Sequence, residues 1–182
     1  MKEARDEEVV RLCLLGNKEV FGILVQRYEK AMFNTALQIV GDYSEATEVT
    51  QASFVSAYEH LGSFDPRYRF FSWLYRITVN GALNAVSSRK HRAAIDESMV
   101  AADGNAEESV SASDLAGVIQ RALRRLTPEY RAVIVLSHFQ DLPYREISRI
   151  LNISENKVKS RLYSARQQLK KLLSSQGIPD AS

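Results

Sequence analysis

The chain has 182 residues, 45% of them hydrophobic and 25% charged, with a formal net charge of +2, as expected of a soluble globular protein of one or two domains. No apolar run is long enough to span a membrane, "MKEARDEEVV" at the start is too charged for a secretory signal, and one cysteine, Cys13, excludes an internal disulfide framework and a thiolate zinc cluster. A reduced cytoplasmic protein without membrane insertion is expected. The near-neutral total hides an asymmetry: residues 1–90 are balanced, 91–114 carry −5 and 115–182 carry +7. A basic C-terminal unit behind an acidic spacer points to a polyanionic partner.

Taken in order, the elements all read as helix. Asn17 is placed to cap a long segment, "KEVFGILVQRYEKAMFNTALQIV", with apolar residues at Phe21, Leu24, Val25, Tyr28, Met32 and Leu37. "GDY" breaks it, and Ser44 is placed to cap a second helix with apolar positions at Val49, Phe54, Val55 and Tyr58. Gly62 and Pro66 mark a loop. The next helix, roughly Phe70 to Ser87, opens within "SFDPRYRFFSWLYRITVNGALN", where six aromatic residues alternate with Arg67, Arg69 and Arg76. Aromatic faces stack on unpaired bases while arginines hold the backbone. Trp73, Leu74 and Ile77 are expected to be mainly buried. The loop from Ser63 to Arg69, with Phe64, Arg67 and Arg69, and the polar Asn80 and Asn84 are the better candidates for a melted strand.

From His91 to Ser113 the text turns rich in Ala, Ser and acids, with no aromatic residue, and is read as a flexible linker. "DLAGVIQRALRRL", "TPEYRAVIVLSHF" and "LPYREISRIL" follow, with Pro128 and Pro143 each at a first helical position. The last segment, "SENKVKSRLYSARQQLKKLL", has six cations and one acid. On a helical wheel Val158, Leu162, Ala165, Leu169 and Leu172 form an inward stripe. The outer face holds Asn156, Lys159, Ser160, Tyr163 and Gln167. Just upstream, Ser148 is small enough for a close crossing, Asn152 suits a left-handed turn, Ile153 fills the corner and Ser154 caps. This is a helix-turn-helix pattern. Asn156, Lys159, Ser160 and Tyr163 are then placed for base edges, with Lys157, Arg161 and Arg166 on the flanks where phosphates run.

The chain therefore reads as all-α, with two small helical domains, 1–90 and 114–182, joined by an acidic linker, 91–113. In "FGILVQRYEKAMFNTALQIVGD", "FFSWLYRITVNGALN" and "LPYREISRILNISENKVKSRLYSARQQLKKLL" it resembles the extracytoplasmic-function group of bacterial sigma factors, the promoter-recognition subunits of RNA polymerase. The resemblance runs from about Val9 to Leu173. It implies that the first domain binds the clamp helices of the core polymerase's largest subunit and opens the minus-ten element, with Phe64 to Arg69 and Asn80 taking an extruded base. It also implies that the second reads the minus-thirty-five element through Lys159, Ser160 and Tyr163, and that an anti-sigma factor is a partner.

In the segment that matches the clamp-binding motif, "EATEVTQASF", Glu45, Glu48, Gln51 and Phe54 are the candidate contacts. Acids usual in the family are missing at Thr47 and Ala52. No phosphate-binding glycine loop, HExxH motif or histidine cluster is present, so neither catalysis nor a cofactor or metal is expected. The rival reading is a helix-turn-helix repressor or response-regulator output protein, which binds duplex DNA without core polymerase.

Overall fold

The computed structural model describes residues 4–99 and 115–175, and within them every regular element is helical. Helix α1 (Asp6–Leu14) buries Val9, Val10 and Cys13, and its first turn holds three acids where the helix dipole is positive. Asp6 accepts hydrogen bonds from Arg27 and Tyr28, which pins α1 to α2 (Phe21–Val40). α2 starts after a short 3₁₀ turn, and Asn17 makes no side-chain cap there. The cap of α3 (Tyr43–Glu59) is Asp42, which accepts from the Glu45 amide at 2.8 Å, and not Ser44. An Asp in extended backbone one residue before the helix is the stronger acceptor for that amide.

Helix α4 (Phe70–Met99) packs on α2 and α3 through Phe70, Leu74, Tyr75, Val79, Ala82 and Val86. It runs past the expected end at Ser87 and takes up the first nine residues of the expected linker. Good helix formers such as Ala93, Ala94 and Glu97 continue the sequence there with no glycine or proline to stop it. The rest of that linker, 100–113, lies outside the described residues. Leu74 is buried as expected, whereas Trp73 and Ile77 are half-buried.

The C-terminal bundle comprises α5 (Leu115–Arg124), α6 (Pro128–Ile134), α7 (Tyr144–Leu151) and α8 (Glu155–Ser174). Thr127 caps α6 with Pro128 in its first turn, and Pro143 stands one place earlier than expected, as the cap of α7. α6 widens into a π turn, Val135–Phe139, before the chain reverses. Val158, Leu162 and Ala165 of α8 are buried against α6 and α7.

The two bundles are packed on each other, α4 against α7 and α2 against α5 and α6. The link at the centre is Arg131 of α6, only 4% exposed. Its guanidinium donates to the carbonyls of Leu123 at 2.8 Å and Leu126 at 3.3 Å, to that of Arg124, and across the junction to that of Ile39. Ile39 and Val40 close α2, whose last carbonyls have no partner within the helix. Arg89 of α4 takes the Val40 carbonyl at 3.1 Å. Gly41, at φ 79°, ends α2 in the left-handed region, and a Cβ there would lie 2.7 Å from the Arg124 guanidinium nitrogen. Burial, with Arg89 and Arg124 nearby, lowers the Arg131 pKa to about 10, so it keeps its charge at neutral pH.

Arg131→Met keeps most of the side-chain volume but removes every donor from four carbonyls. Urea unfolding is expected to show a loss of about 2–4 kcal/mol. An unchanged midpoint would mean that water replaces the guanidinium without cost.

Candidate nucleic-acid interface

The turn between α7 and α8 is built as its residues demand. Asn152 takes φ 52°, ψ 46°, and the Ser148 hydroxyl donates to the Ile153 carbonyl at 2.5 Å, tying α7 to the start of α8. Ser154 caps α8, accepting from the Lys157 amide at 3.2 Å. With the turn fixed and Val158 and Leu162 buried beneath, Asn156, Lys157, Lys159, Ser160 and Tyr163 are all exposed along the outer face, Tyr163 at 67%. Arg161 is half-buried at the flank, in a groove with Thr127, Tyr130 and Lys157. The first turns of α8 thus present amide, ammonium, hydroxyl and phenol groups together, with cations to either side, the kinds of group that read base edges and phosphates.

Arg166 is engaged: its Nε donates to His138 Nε2 at 3.1 Å, so that imidazole nitrogen is unprotonated. Burial, then the Arg166 charge, lowers the His138 pKa.

On the first bundle the structure forms two hollows joined by one helix face. The first is a groove between α3 and α4, floored by Val49, Ser53 and Ile77 and rimmed by Glu48, Ala52, Ser56, Asn80 and Asn84. It brings Glu48, expected to face the polymerase, beside Asn80 and Asn84, expected to face DNA. The second is a cleft of about 350 Å³ where α4 begins, lined by Tyr68, Arg69, Ser72, Trp73 and Arg76 and closed by Glu146, Arg149 and Asn152 of the other bundle. At 100° per residue, Arg76, Asn80 and Asn84 fall within about 80° of one another. All three are exposed, and they connect cleft to groove.

Two expected site residues turn inward. Phe64 is 8% exposed and packs on Phe70 and Trp73 with ring centroids 5.5 Å apart, so its ring belongs to the core and not to the exposed loop. Phe54, 7% exposed, lies about 120° around α3 from Glu48 at 100° per residue and points into the core. Gln51 is exposed, and Glu45 is held by Arg89 at 3.1 Å. In the loop, Arg67 grips Asp65 through several bonds of 2.6–3.0 Å, whereas Tyr68 and Arg69 are exposed at the mouth of the cleft. Tyr68, in the loop before α4, and Arg76, on α4, belong to the aromatic segment but are not among the expected site residues. For Arg76 the available signal is its i, i+4, i+8 spacing with Asn80 and Asn84.

Among the described residues no cluster of His, Cys, Asp and Glu could hold a metal, and no helix is long and apolar enough to cross a membrane.

Residues 24–92 match the family model for sigma-70 region 2, and residues 116–169 that for sigma-70, region 4. The ECF RNA polymerase sigma factor SigW of Bacillus subtilis is 31% identical over 170 residues, covering 87% of this chain and 91% of that protein. Among solved structures, CnrH in complex with the cytosolic domain of CnrY aligns with a TM-score of 0.68 at 25% identity, over 92% of this chain and 96% of that one. The sigma factor RpoE of Bartonella quintana, in complex with the anti-sigma factor NepR, shares the fold at a TM-score of 0.67 and 22% identity, over 85% and 96%.

His138 has a folded pKa below its unfolded value of about 6.5. Its share of stability is therefore complete above pH 6.5 and declines as pH falls toward the folded pKa, where the Arg166 bond is lost. An NMR titration of its ring should have a midpoint below 6.5, and His138→Ala should flatten the fall in stability below that pH. A midpoint at or above 6.5 would show that Arg166 is not held.

Proposed function

Since the chain belongs to the sigma-70 family, in its extracytoplasmic-function group of RNA polymerase sigma factors, we propose that it binds core polymerase through the outer face of α3. In the same proposal it reads a minus-thirty-five element as duplex through α8 and holds the melted minus-ten strand along α4. The observation that carries this division of labour is the exposure of two unlike surfaces. α8 offers a polar, cationic rod suited to a major groove, while Tyr68, Arg69, Arg76, Asn80 and Asn84 form a track with an aromatic end suited to unstacked bases.

On α3 the exposed contacts are Glu48, Gln51 and Val55, with Glu45 beside them; Phe54 supports the helix from behind. Thr47 donates its hydroxyl back to the Tyr43 carbonyl at 2.9 Å and Ala52 lies on the groove rim. The clamp therefore meets a less acidic, more apolar surface, and core binding depends less on salt than a fully acidic helix would. Bond-making chemistry belongs to the polymerase, and the place of action is the cytoplasm. An anti-sigma factor is the expected regulator, as one accompanies the Bartonella quintana protein.

The test is to mix the purified chain with bacterial core RNA polymerase and map starts from a random-promoter library. Starts sharing an upstream motif are the expected result. Tight duplex binding with no core association would support a repressor instead. On a promoter so selected, Lys159→Ala is expected to lower initiation about tenfold, from loss of one base contact of about 1–3 kcal/mol. Co-migration with core on gel filtration should be unchanged. Loss of co-migration would show that α8 serves the polymerase and not the DNA.

A further inference from the structure

The closed packing of the two bundles fills the strand track with the chain's own groups. Glu146 of α7 accepts the Ser72 hydroxyl at 2.6 Å and shares the cleft with Arg69 and Arg76, so a carboxylate sits where a phosphate is wanted. Its other oxygen accepts from Arg149 at 3.0 Å. The Arg149 guanidinium lies 5.4 Å above the Tyr68 ring, on a face that a base would need. A carboxylate thus stands in the cleft beside its two arginines, and one face of the Tyr68 ring is covered. The register is fixed nearby by the Tyr75 hydroxyl, which accepts from Thr35 and donates to Gln140 at 2.7 Å across the junction.

We infer that α7 is an internal competitor of single-stranded DNA: Glu146 and Arg149 imitate a phosphate and a base, and the strand enters the cleft only when the two bundles part. The inference rests on the strand-binding reading of this cleft. Size points the same way. A folded chain of this length has a radius of gyration of about 16 Å. Promoter elements about 25 base pairs apart lie about 85 Å from each other along B-form DNA at 3.4 Å per pair. A chain that touches both has opened.

The contacts that hold the cleft shut are a few side-chain bonds and one cation–ring contact, so single substitutions are expected to move the balance measurably. Binding of a fluorescent oligo-dT of about twelve nucleotides is read by anisotropy on the full-length chain, with the radius of gyration followed by X-ray scattering. Glu146→Gln removes the phosphate mimic. Gln140→Ala breaks the register bond with no change of charge, at a residue outside the cleft. Each is expected to tighten binding about 5- to 10-fold and to raise the radius of gyration. Glu19→Gln, the same charge change in the turn before α2, should stay within about twofold of the parent.

If Glu146→Gln and Gln140→Ala behave like Glu19→Gln while Arg69→Ala weakens binding, the strand uses this cleft and α7 does not compete for it. If Arg69→Ala binds as tightly as the parent, the cleft is not the strand site and both readings fall.

Discussion

A guanidinium buried among helix ends holds this molecule in one piece. Among the described residues Arg131 has no carboxylate partner. Its charge is compensated by carbonyls at the ends of α2 and α5, where backbone dipoles converge with their negative ends. Removing a cation from water is costly, and carbonyl acceptors offset that cost only while the geometry holds. The α5–α6 corner must therefore sit where it does, and α2 must end where it does. Gly41 admits the Arg124 side chain into the space a Cβ would fill, and Arg89 occupies the neighbouring carbonyl. Each of these follows from one requirement: three arginines need room at the end of one helix.

The C-terminal surface works by the opposite logic. α8 is held from beneath by Val158, Leu162 and Ala165 and from its start by the Ser148 and Ser154 hydroxyls, so Asn156, Lys157, Lys159 and Tyr163 stay exposed on its outer side. They are free to be chosen for what they touch. Arg166 is drawn aside by a histidine on the π turn of α6. The track on α4 is less independent, because the residues that line it also face the partner bundle.

How legible this was depended on range. The turn and α8 could be read directly, because Asn152, Ser154 and the Val158–Leu162–Ala165 stripe act within a few residues of each other. Helix α1 was missed, since nine residues with Val9, Val10 and Cys13 inward give too little periodic signal. Phe54 is expected at a surface from the clamp-binding motif and Phe64 from its place in an aromatic loop, and only packing shows their rings turned into the core. Nothing in "TPEYRAVIV" marks Arg131 as buried; its acceptors are backbone carbonyls, which every residue has and no sequence pattern marks. The Ser72–Glu146 and Tyr75–Gln140 bonds join positions 74 and 65 residues apart, beyond any local rule.

Helix α4 has one consequence of a different kind. Val86 is the last of its residues described as buried, and the helix continues to Met99, a further advance of about 20 Å at 1.5 Å per residue. The C-terminal bundle is thus joined to the first through the far end of α4. Docking of two covalently joined parts is governed by an effective concentration, set by tether geometry and often in the millimolar range. It does not weaken on dilution. Any outside molecule that would separate the bundles competes against that fixed local concentration, whatever the amount of this chain in the cell.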